Sequence, residues 1–213
     1  MKIRVQLRCM ASSEIADMIP EETITEIKKT DPTPLFRAYV VAHEGEAKGN
    51  LVGYGNVVKK WYRAIIDKLH DKIEVGLQLF HGHGATNDQT GRLPIGHVVG
   101  KTRKIINGLW SSIVACYIEP AQRKLNLDVA SIEANMDLDI DSKGNLIATD
   151  IQDISAIALG NSEIETPGFA GATLLGQLQA FAKERGITTG YEIPMKLGVR
   201  INNTDQPEKL SLV

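Results

Sequence analysis

"ASIEANMDLDI" at 130–140, "DSKG" at 141–144 and "NLIATDIQDISAIALG" at 145–160 form the stretch on which the fold reading turns. In the first run Ile132, Ala134, Met136, Leu138 and Ile140 alternate with Ser131, Glu133, Asn135 and Asp137, the period of a strand with one face on a core. DSKG is turn chemistry, so the two runs read as the arms of a hairpin. Working outward, "VGLQLFHG" (75–82), "PIGHVVGK" (94–101) and "GLWSSIVACYI" (108–118) have the same texture of short apolar runs cut by Gly, Pro and Asn. About five strand candidates in roughly 90 residues predict a sheet closed into a barrel or sandwich.

The flanks add further elements. "KIRVQLRC" (2–9) alternates as a half-buried strand, and "LFRAYVVAHEG" (35–45) is a second strand candidate. Residues 12–34 read as a short helix and a loop, and "EPAQRKLNLD" (119–128) as a short helix. Over 55–72, Val58, Trp61, Ile65, Ile66 and Leu69 recur at helical spacing. In "ATLLGQLQAFAKERG" (172–186), Leu174, Leu175, Leu178 and Phe181 share a helical face, with Gly186 as a C-cap. The expected architecture is α+β: a small, mostly antiparallel β-barrel of about six or seven strands, flanked by helices at 55–72 and 172–185. One domain spans 1–190, and 191–213 form a polar, loose tail.

Composition narrows the function classes. The 213 residues are 43% hydrophobic with a formal charge of -2, and Lys and Arg are scattered among Asp and Glu, which argues against nucleic acid as a main partner. Cys9 and Cys116, the two cysteines, support neither a disulfide framework nor a cysteine-based zinc site. The N-terminus has no signal-peptide core, and no window approaches the roughly 18 apolar residues of a membrane span. These features are expected of a soluble protein of a reducing cytoplasm.

The chemistry-bearing candidates are His81 and His83 of "LFHGHG". An H-x-H pair on a strand sends both side chains to one face. Zinc would need a third ligand, for which His97 is nearest in sequence. A second reading makes both histidines ordinary polar residues at a strand end. A third makes one of them a general base, since imidazole takes and returns a proton near neutral pH, given a serine and an orienting group. Ser131 lies on the outward face of its strand, whereas Ser111 and Ser112 sit in an apolar run and are expected to be buried. The loop "GATNDQTGR" (84–92) is ordinary turn chemistry that could also border a groove.

Four pieces in order, the "GH" ending "LQLFHGH", "RLPIGHVVG", "ASIEANMDL" and "DISAIALGNSEIETPGFAGA", resemble the tailed-bacteriophage prohead proteases, serine proteases that share the herpesvirus assemblin fold. The resemblance covers roughly residues 35–175 and lies in the order and spacing of the pieces. It implies His83 as base, with His81 as its substitute, Ser131 as nucleophile, and Asp153 as the acid, with Asp150 as second choice. It implies no cofactor and no metal. The substrates would be scaffold, capsid-protein extensions and the protease itself, inside the prohead in the host cytoplasm, with a homo-oligomer left open. The related enzymes use an arginine pair at the oxyanion, and "NSEIETPG" has no arginine. A non-catalytic head-assembly protein is the alternative.

Overall fold

The apolar alternation of the sequence becomes nine strands of one mixed sheet in the computed structural model, which describes residues 10–51, 55–83, 92–164 and 166–179. The strands are β1 (Leu35–His43), β2 (Gly45–Leu51), β3 (Gly55–Trp61), β4 (Gln78–His81), β5 (Pro94–Ile106), β6 (Leu109–Ile118), β7 (Val129–Ile140), β8 (Leu146–Gly160) and β9 (Leu174–Gln179). Three helices accompany them: α1 (Ser12–Ala16), α2 (Glu21–Thr30) and α3 (Arg63–Lys72).

The sheet runs β2-β3-β8-β4-β5-β6-β1-β9, with β7 also on β8. It is open, which corrects the expected six- or seven-strand barrel with flanking helices. Two segments read as helix supply strands instead, and they enlarge the sheet. Within 55–72 the first half is β3, because Lys59 and Trp61 turn inward by strand alternation while Val58 is exposed; only the second half is helical. Within 172–185 the described part is β9, laid antiparallel on β1. A register shift against β1 lets Leu174, Leu175 and Leu178 all stay buried, so an apolar spacing that fits a helix also fits a bulged strand. The segment 119–128 contains a single 3-10 turn, Pro120–Gln122. The strand expected at 2–9, the tail 191–213 and the loop up to residue 91 lie outside the described residues.

Burial explains the layering. On β1 and β6 the residues alternate between two cores: Tyr39, Val41, Val114 and Cys116 face one, Phe36, Val40, Ile113 and Ala115 the other. Helix α3 adds Ile65, Ile66 and Leu69 to the first core, and α1 adds Ile15 and Ala16 to the second. Lys101 Nζ donates to the carbonyls of His70 (2.7 Å), Asp71 (3.2 Å) and Ile73 (2.7 Å), satisfying the open C-terminal end of α3. Strands β4 and β8 run parallel, and β7 runs antiparallel along β8. That arrangement sets the end of β4 near the start of β7.

Candidate functional site

Pairing places Phe80 beside Ala158, and Ala158 beside Ser131, across β4, β8 and β7. Leu79, Ile157 and Ile132 form the next row and belong to the core. Ser131 and Glu133, two apart on β7, therefore share the face opposite that core. Their β8 partners are Ala158 and Ala156, whose side chains are single methyl groups.

His83 reaches this face through Gly82. Strand β4 ends at His81, and Gly82 adopts φ 70°, a left-handed conformation that costs glycine little. The Gly82 N–H donates to the Leu159 carbonyl at 3.0 Å, which pins the turn to the end of β8. The H-x-H spacing thus fails to give a common face, because strand alternation stops between the two histidines. His81 remains exposed at the end of β4.

At His83, Nδ1 contacts Glu133 Oε1 at 2.9 Å, with the histidine side chain 46% exposed and the glutamate 17%. Arg92, 7% exposed, donates to Glu133 through both terminal nitrogens, at 2.8 and 2.9 Å, and also to the Gly82 carbonyl. Its guanidinium lies 4.5 Å from the Phe80 ring centroid. Arg92 therefore ties the turn that presents His83 to the carboxylate that holds it.

His83, Ser131, Ala158, Thr166 and Pro167 line one shallow depression. Its outer wall is a strap over 166–172. The Lys48 N–H donates to the Gly168 carbonyl at 2.7 Å, and the Ala130 N–H to the Ala172 carbonyl at 3.0 Å. A Cβ on Gly168 would stand 2.7 Å from the Lys48 carbonyl oxygen and 3.8 Å from Ser131 Oγ, so only glycine lets the strap come this close. Phe169 anchors it, with its ring 5.2 Å from His43 and 5.0 Å from Trp61, and His43 Nε2 lies 2.8 Å from the Ala170 carbonyl.

Of the residues singled out in the sequence, Ser131 and His83 come together and the proposed acids do not join them. Asp153 faces Asn135 across the β7–β8 ladder and accepts from its Nδ2 at 2.7 Å. Asp150 accepts from Lys68 Nζ at 2.9 Å, and that bond holds its carboxyl below the usual range. The group on His83 is Glu133, which the alternation of 131–137 had already put on the Ser131 face. Neither spacing nor composition pointed to Arg92.

The zinc alternative is not assembled. His97 lies opposite Gln78 with its ring 5.4 Å from Tyr117, and burial lowers its pKa. Among the described residues no group of three or more His, Cys, Asp or Glu is placed to hold a metal ion. Ser111 donates to the Leu109 carbonyl, and buried Ser112 pairs with His70 Nδ1 at 3.0 Å, so both serines serve the core. No helix among the described residues is long and apolar enough to cross a membrane. Comparison with known proteins gives no match to this chain, whether by family model, curated protein or solved structure.

Proposed function

We propose that the protein is a serine endopeptidase in which Ser131 is the nucleophile, His83 the base and Glu133 the group that orients it. The observation that carries this reading is the His83–Glu133 contact at the edge of the depression that Ser131 also lines. A carboxylate on Nδ1 selects the tautomer that carries its proton there and leaves Nε2 to take the Ser131 proton. Ser131 Oγ then attacks the peptide carbonyl carbon and the C–N bond breaks. His83 returns the proton to the leaving amine, and water hydrolyses the acyl-enzyme by the same route.

The order of the four sequence pieces extends the reading to phage head maturation. The substrates would be scaffold and capsid-protein extensions within a prohead in the host cytoplasm, together with the protease itself. A non-catalytic head-assembly protein is the second reading. It is favoured by the two Arg92 bonds to Glu133, an arrangement equally suited to a structural ion pair.

Intact-mass analysis after a fluorophosphonate probe tests the proposal. A single adduct is expected, abolished by Ser131→Ala and by His83→Ala. Glu133→Gln should slow labelling about 10²-fold or more, while Asp153→Asn labels at the wild-type rate. An adduct on another serine, or no adduct at any probe concentration, overturns the assignment.

A further inference from the structure

The strap that walls the depression is tied at one end to a buried histidine. His43, the last residue of β1, is 6% exposed, and both of its ring nitrogens face carbonyl oxygens. Nδ1 lies 2.7 Å from the Glu44 carbonyl and Nε2 2.8 Å from that of Ala170. A carbonyl oxygen only accepts, so both nitrogens have to donate, and only the imidazolium carries two ring N–H groups. A neutral ring would turn a lone pair on one carbonyl at hydrogen-bond distance and leave two acceptors face to face.

Among the described residues no carboxylate pairs with this ring, so the two carbonyls hold its charge. Glu44 Oε1 accepts from the Trp110 backbone N–H at 2.8 Å. Ser111, opposite His43 on β6, donates its hydroxyl to the Leu109 carbonyl, and Lys104, next in that row on β5, donates to Glu14 at 2.8 Å. On β2, Glu46 and Lys48 alternate with Ala47, which faces the core, and Lys59 of β3 reaches over Gly49. Residues 166–173 carry no charged side chain, and the strap offers His43 only the Phe169 ring and the Ala170 carbonyl.

We propose that His43 is a charge-dependent clasp: protonated, it ties the strap to β1, and on losing its proton it releases Ala170 and loosens the wall of the depression. Sequence distance decides which bond gives way. Glu44 is the next residue, so its carbonyl stays beside Nδ1, whereas Ala170 is 127 residues away. The remaining N–H therefore stays on Glu44, and the Nε2 lone pair repels the Ala170 carbonyl. The strap keeps its ties to Lys48 and Ala130, so it loosens at this point without detaching. The clasp is complete on the acid side and is lost as pH rises through the imidazole titration. It acts on the wall whether or not Ser131 is a nucleophile.

Nitrogen-15 NMR of the whole chain, correlating ring nitrogens with ring carbon-bound protons, separates the imidazolium from either neutral tautomer at each of the 5 histidines. Over about pH 5 to 9, His43 should carry both ring N–H protons at the acid end and only the Nδ1 proton at the alkaline end. The backbone amide signals of Lys48 and Ala130, which donate to the strap, should shift with the His43 midpoint. His83 also lines the depression, so the titration is repeated with His83→Ala, where those shifts should persist. In His43→Gln, which can donate without titrating, they should be lost. A His43 that keeps one charge state across the range overturns the proposal. So do Lys48 and Ala130 signals that ignore the His43 midpoint, that stop shifting in His83→Ala, or that still shift in His43→Gln. If His43→Gln fails to fold, the wild-type and His83→Ala titrations decide by the same criteria.

Discussion

Strands β1 and β6 on one side of the sheet, and β7 and β8 on the other, are long antiparallel pairs that use their two faces differently. Every residue of β1 is buried, and most of β6 is too, because a hydrophobic core covers each face. On β7 only Val129 and Ala130 are buried, and the face carrying Ser131, Glu133, Asn135 and Asp137 has no helix from the described residues over it. A doubly covered strand secures the fold, and polar groups buried on it, such as His43 on β1 and Ser112 on β6, are tied to neighbours in the core. The half-covered ribbon can present a hydroxyl, and its largely enclosed Glu133 carboxylate is compensated by Arg92.

Substitutions should reproduce that contrast. Phe36→Ala empties a fully buried site on the second face of β1 and should lower unfolding free energy by about 3–5 kcal/mol in urea titrations. A loss below about 1 kcal/mol would mean that the second face is not a true core. An intermediate effect is expected from His70, where α3 meets β6 and burial lowers the pKa from 6.5 to about 4. The unfolded chain takes up a proton there that the folded chain refuses. The stability is therefore present above pH 6.5 and is lost as pH falls towards 4, by about 2–3 kcal/mol. His70→Gln should remove that part of the pH dependence in parallel melts. The smallest effect belongs to the ribbon: Asn135→Ala breaks an exposed bond to Asp153 and should change stability by less than about 0.5 kcal/mol.

Legibility in the sequence follows the same contrast. β7 and β8 were readable because one face is apolar and the other polar, and Asp141 closes their turn by accepting from the N–H groups of Lys143 and Asn145. β3 and β9 were not, because their few apolar residues also fit a helical stripe, and what decides is the partner edge each finds in the folded sheet. The site divides likewise. Ser131 and Glu133 share a face by simple alternation, but the choice of Glu133 over Asp153 as the neighbour of His83 depends on the Gly82 turn and on register shifts within the β7–β8 ladder. Arg92 follows a loop with no periodic signal, and its role exists only once β4 and β7 are brought together by β8.

That bridging strand also dictates a timetable. His83 lies at the end of β4 and Ser131 at the start of β7, and both are held in place by residues 157–160 at the end of β8. Long-range pairing of this kind pays its loop-closure entropy before it gains contacts, so it is slow compared with local structure. On a growing chain, residues 83 to 133 are all synthesised before the strand that joins them. The serine and the histidine therefore come to line one depression only after the ribosome has passed residue 160, and until then the nascent polypeptide carries the parts of the proposed centre without assembling them.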